Sequence, residues 1–191
     1  MKKLVISLTS IIGFLSFNVS ADEAYNSALT ELAKTKVTQI MNNPIVQSAI
    51  KAQNSKHADL TQTDIDKLDK KWRAENKSSS KPMINATLSN ALSKFLTETK
   101  QSSDGLYTEI FVMDNKGLNV GQSDITSDYW QGDEAKWKKT YLVGSGAVHI
   151  GKLKKDESTQ QIQVQLSVAI SDTSTKTVIG AITLGINLDH I

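Results

Sequence analysis

The densest group of side chains able to do chemistry lies between Ser123 and Tyr141. The run Ser123-Asp-Ile-Thr-Ser-Asp-Tyr-Trp-Gln-Gly-Asp-Glu-Ala-Lys-Trp137 carries four acids, a tyrosine and two of the chain's three tryptophans, and Tyr141 follows. Aromatic faces grip the flat or apolar parts of small molecules, and carboxylates fix cationic or hydroxyl groups. Asp128, Tyr129, Trp130, Asp133, Trp137 and Tyr141 are therefore candidate ligand contacts. The competing role for Trp130 and Trp137 is to anchor an irregular loop onto a sheet. Arg73, the only arginine among 22 basic residues, is a further candidate. Its planar fork matches a carboxylate as lysine cannot, and a structural ion pair is the alternative.

Catalytic and metal chemistry find little support. The only histidines are His57, His149 and His190, and no two have metal-ligand spacing. With no cysteine, disulfides, thiolate metal sites and cysteine nucleophiles are excluded. There is no Gly-x-Ser-x-Gly elbow, phosphate loop or His-Glu-x-x-His motif. Neither an enzyme nor a cofactor-dependent protein is expected. Acid–base catalysis would need paired carboxylates, such as Asp128 and Asp133, in a cleft.

The elements that must position these residues change type midway. Ala24 to Asn42 has helical apolar spacing (Ala28, Leu32, Val37, Ile40, Met41), and Pro44 kinks this helix or opens another. A helix opening near Thr63 carries Ile65, Leu68 and Trp72. Met83 to about Lys100 reads as one more amphipathic helix. From Leu106 the period becomes two, with strands expected over 107–113, 118–122, 147–153, 161–170 and 177–188. Asp114-Asn-Lys-Gly117 is the first turn, and a short helix is expected within 123–141. Helices first, then five strands on short turns, mean an α+β fold with helices on an antiparallel sheet.

The last hairpin allows a closer reading. Pairing across Ser171–Lys176 sets Ile162, Val164, Leu166 and Val168 on one face with Ile182, Leu184, Ile186 and Leu188, an apolar face to lie under a helix. The other face carries Gln161, Gln163, Gln165 and Ser167 beside Ala181, Thr183, Gly185 and Asn187. Small residues and amides there suit either a solvent-facing surface or a pocket floor roofed by the loop after strand two.

The N-terminus has the parts of a secretory leader: Lys2 and Lys3, an apolar stretch from Leu4 to Val19, and Val19-Ser-Ala21 as a cleavage signal. The stretch is short and polar-diluted for a membrane span of about 20 residues. Cleavage would make residues 1–21 a signal peptide and leave an exported, periplasmic chain beginning at Asp22. Of 22 basic and 20 acidic residues the leader holds two lysines and no acid, so the mature chain balances at twenty each. That balance argues against a nucleic-acid or polybasic membrane-surface role.

A long N-terminal helix followed by Glu109-Ile-Phe-Val-Met-Asp-Asn-Lys-Gly117 resembles the Cache (PAS-like, or PDC) domains of bacterial extracytoplasmic sensors. Asp128-Tyr-Trp130 and Lys136-Trp137 resemble the family's pocket loop and short helix, and Val178 to Leu188 its closing strand. The resemblance implies one domain over about 24–191, with a helical part (22–105) and a PAS-like sheet with its pocket loop (106–191). It implies a small polar or aromatic-stacking ligand held between sheet and loop, Asn187 in the last strand among its contacts, and a separate membrane sensor as signalling partner. The long helix resembles one that pairs sensors into dimers. Where amino-acid-binding members carry arginine, tyrosine and aspartate, this chain has Ala135, Lys138 and Asn187, which departs from a clamp for a plain α-amino acid. A structural or protein-interaction module with a degenerate pocket is the alternative function.

Overall fold

A computed structural model describes residues 21–158 and 160–191. The leader-like stretch lies outside these residues, apart from Ala21. The first helical run is α1 (Ala21–Leu32), a π-helical turn (Ala33–Val37) and α2 (Thr38–Met41). In the π-turn the Thr38 hydroxyl donates to the Ala33 carbonyl five residues back. Leu29, Leu32, Ala33, Val37 and Ile40 form the buried stripe, while Glu31, Lys34, Thr35, Lys36 and Gln39 face outward.

Helix α3 (Pro44–Lys56) starts where proline fits the first turn, and the Asn43 side chain caps it by accepting from Ile45 N. Helix α4 (Gln62–Asn76) opens one residue before the expected start at Thr63. Thr61 and Asp64 form a reciprocal capping box there. The single helix expected over 83–100 is two, α5 (Pro82–Leu88) and α6 (Ala91–Gln101). Asn90 causes the break: its side chain accepts from Ser93 N at 2.8 Å, a cap that fixes a new helix start.

The sheet contains β1 (Tyr107–Met113), β2 (Asn119–Gln122), β3 (Val148–Ile150), β4 (Lys154–Lys155), β5 (Ile162–Ser171) and β6 (Val178–Ile186), antiparallel throughout. Its order is β2-β1-β6-β5-β3, with β4 also pairing β5. The strand expected over 147–153 is only Val148–Ile150, ending before Gly151, whose N–H donates to Gln165 O, and β4 forms just beyond the expected range. The fold is α+β and PAS-like.

The hairpin register matches Val164 with Ile186, Leu166 with Leu184 and Val168 with Ile182. These residues join Ile110 and Val112 of β1 and the stripes of α1–α3 and α6 in the main core. Ile162 departs from the expected inward face and is 66% exposed. The β5–β6 ladder ends at Val164–Ile186, so Ile162 pairs only with Lys155 of β4.

Asp114 ties the helices to the β1–β2 turn. Its carboxylate is fully buried and accepts from Lys116 N, Leu118 N and Gln53 Nε2, and lies 3.1 Å from His57 Nδ1. His57 is thereby placed as a packed residue.

Candidate functional site

The second face of the sheet is roofed by the C-terminal part of the 123–141 segment, with the short helix α7 (Ala135–Lys138), Trp137 and Tyr141. Beneath the roof, Phe111, Met113 and Ala181 pack against Trp137 and Tyr141. The two roof rings stack with centroids 4.8 Å apart, and Trp137 Nε1 donates to the Asp114 carbonyl.

The polar part of the floor depends on a bulge in β1. The register shifts between Tyr107 and Glu109. Tyr107 and Ile110 join the helix-side core, while Thr108 and Glu109 both bond the amide face of β5. Such a bulge re-aims side chains by inserting one residue. Gln163 Nε2 and Gln165 Nε2 donate to the same Glu109 oxygen at 2.6 and 3.1 Å, and the Thr108 hydroxyl donates to Gln163 Oε1. Ser167 and Thr183 hydroxyls bond each other across the hairpin. Gly185 is small of necessity, since a Cβ there would collide with Gln163 Oε1 and Thr108 Oγ1.

Glu109 is the chemically distinctive group. It is 3% exposed and has no ion pair among the described residues. Burial pushes its carboxyl above the ordinary glutamate value, and the charge of Asp156 adds to this. The two glutamine amides and the Lys136 charge pull the other way. Lys136 lies over the Phe111 ring at 5.4 Å from its centroid and pairs with Glu134 at 3.0 Å. Between α7 and β3 remains a cavity of about 190 Å³, lined chiefly by Glu134, Lys136, His149, Lys152, Lys154 and Gln165. Burial, then Lys139, holds His149 below the ordinary histidine value, which favours its neutral form. Among the described residues no cluster of histidine, aspartate and glutamate could hold a metal ion.

The residues singled out from sequence fall into separate places. Trp137 and Tyr141 form the roof. Tyr129 and Trp130 pack into a second core with Ile65, Trp72 and Ile84 of the helical part and Leu118 of the β1–β2 turn. Tyr129 stacks on Trp72 at 5.3 Å, and burial pushes its hydroxyl well up. Trp130 Nε1 donates to Lys116 O. Arg73 donates to Asp69 at 2.6 Å and to Asp128 at 3.0 Å. The other Asp69 oxygen accepts from Tyr129 N and Trp130 N, which pins the loop to α4. Asp128 also accepts from Gln131 Nε2, and burial raises its carboxyl with Glu134 adding repulsion. Asp133 is exposed on the Arg73 side, well placed to add to its field. Asn187 lies past the end of β6 and caps the final turn by accepting from Asp189 N. Asp128 and Asp133 therefore sit in an arginine-centred frame outside the cleft.

Sequence reasoning did not single out Glu109 or Thr108 as candidates, and took Lys136 only as part of the short helix. An acid inside the otherwise apolar run Tyr107 to Met113 was the available signal.

No family model and no curated protein matches the chain. Solved structures similar to it include the ligand-binding domain of a Campylobacter jejuni chemoreceptor in complex with 4-methylisoleucine, at 14% identity, covering 87% of this chain and 63% of that one, with a TM-score of 0.41. The sensor domain of a Vibrio cholerae histidine kinase is similar at 14% identity over 87% of this chain and 58% of that one, TM-score 0.38. A domain of a sensory box/GGDEF family protein from Vibrio parahaemolyticus is similar at 13% identity over 86% and 60%, TM-score 0.37. This chain spans about three fifths of each of those lengths. The first is a ligand-binding domain and the second a sensor domain.

Proposed function

We propose that the chain is a periplasmic sensory domain that binds a small polar molecule between the second sheet face and residues 123–141, and reports occupancy to a separate membrane protein. Glu109 supports the binding role most: a carboxylate buried without an ion pair among the described residues and bonded to Gln165, which lines the cavity. Burying a charge is costly unless a partner offsets it, and such perturbed groups gather at functional sites. A ligand ammonium or amide donor would offset that cost. The cavity at Gln165, Lys136 and His149 gives the ligand a place, beside the roof contact that Trp137 and Tyr141 make with Phe111, Met113 and Ala181. Arg73, Asp128, Tyr129, Trp130 and Asp133 enter this reading as the frame that sets the roof, and Asn187 as the cap of the last turn.

A thermal-shift and calorimetric screen of polar metabolites should find a ligand whose affinity falls at least about tenfold in Glu109→Gln and Gln165→Leu, with both variants folded by circular dichroism. The reading fails if nothing binds, or if the bound compound ignores both substitutions. Export is checked by N-terminal sequencing of the mature protein, which should begin at Asp22. Self-association through the long helix would use its polar outward side, so sedimentation should find at most a weak dimer at micromolar concentration.

A second reading, a protein-interaction module with a closed cleft, draws on the same floor. The remaining 190 Å³ is below the roughly 300–1,000 Å³ of drug-sized sites, and the glutamine amides already have partners. A negative screen with the folded parent protein would favour it.

A further inference from the structure

The β1 bulge that sends Glu109 to one side of the sheet sends Tyr107 to the other. The Tyr107 ring is 6% exposed, and its buried hydroxyl has no hydrogen-bond partner among the described residues. Buried tyrosine hydroxyls ordinarily find a partner, so an orphan needs an explanation. Tyr107 lines a groove of about 510 Å³ between the long N-terminal helix and α6, within the range of small-molecule sites. Ile40, Phe95 and Leu106 supply its apolar floor.

We propose that this groove is a second ligand site, for a small neutral amphipathic molecule with an apolar body and a single hydroxyl head that bonds Tyr107. Among the buried residues of the lining, Tyr107 alone has a polar side chain, and its hydroxyl can donate and accept. The rim holds one charge of each sign, Lys36 and Asp104, so a ligand with net charge meets one like charge for each opposite one. Both rim residues stand on irregular backbone. Lys36 lies in the π-helical turn, a form frequent at functional sites, and Asp104 is left-handed at φ 52°. The groove lies on the opposite side of β1 from the Glu109 cleft, so its occupancy is independent of the function proposed for that cleft.

The probe is 4-methylphenol, with toluene as the same shape lacking the hydroxyl, titrated into the labelled mature protein and followed by NMR. Saturable shifts should centre on Ile40, Phe95 and Tyr107, with toluene binding about tenfold or more weakly. Tyr107→Phe should bring 4-methylphenol to the affinity of toluene and leave toluene unchanged. Phe95→Ala should weaken both probes, an independent check should the first variant fold poorly. The proposal is overturned by three results: no saturation, shifts centred on Trp137 and Tyr141, or a Tyr107→Phe protein that binds 4-methylphenol as the parent does.

Discussion

At the scale of residues, the second sheet face is governed by Glu109 and Gly185. The folded pKa of Glu109 is raised above its ordinary 4.5, so the native state holds the proton more tightly than the unfolded chain. Its stabilising contribution is full below the ordinary glutamate range and is lost as pH rises through the folded value. Asp128 is also raised by burial and adds a slope of the same sign. Denaturant melts between about pH 4 and pH 8 should therefore show stability falling with pH more steeply in the parent than in Glu109→Gln. The variant should be the more stable protein at neutral pH, and parallel curves would refute this account of Glu109. Gly185→Ala must displace Gln163 and Thr108, so a loss of roughly 1–3 kcal/mol is expected from overpacking. Chemical denaturation measures it, and an unchanged midpoint would mean that the amide floor is loose.

At the scale of elements, Asn90 has two jobs. It caps α6 through Ser93 N and anchors that helix to β2 by donating to Val120 O at 2.9 Å. Asn90→Ala should cost about 1–2 kcal/mol, the range of a lost cap, and speed hydrogen exchange at the start of α6. Asn90→Asp keeps the cap acceptor and loses only the donor to Val120, so it should fall between parent and alanine variant. The roof is the other element with a local test. Trp137 joins it to Phe111 and Met113 and is only partly buried. Trp137→Ala should lower stability by about 2–3 kcal/mol, below the full cost for a buried tryptophan. Exchange should quicken across 123–141 before it quickens in β5 and β6. Uniform quickening would show instead that the roof unfolds only with the sheet.

At the scale of the whole molecule, one sheet serves two environments because both of its faces are covered. The helix side is filled by aliphatic side chains, and the roof side mixes aromatic contact with a satisfied amide network. The β1 bulge connects the sides, since one inserted residue decides that Tyr107 faces helices while Thr108 and Glu109 face the roof. The α+β class, the period-two strands 107–113 and 164–170, and the even-face register were legible in the chain. Alternation ties every second residue to one side, and a one-residue slip would expose the whole apolar set. The Asn90 break was hidden inside a continuous amphipathic pattern, because a cap acts through one side-chain bond that periodicity does not register. The aromatic–acidic run 123–141 was recognisable as something folded onto the sheet. Its division was not: Trp137 and Tyr141 went to the roof, while Asp128, Tyr129 and Trp130 went to the helical side beside Arg73. Residue type determines what a side chain can bond, and alternation determines the face of a regular strand. Only tertiary contact decides where an irregular loop sends each residue, and which partner is within hydrogen-bond reach.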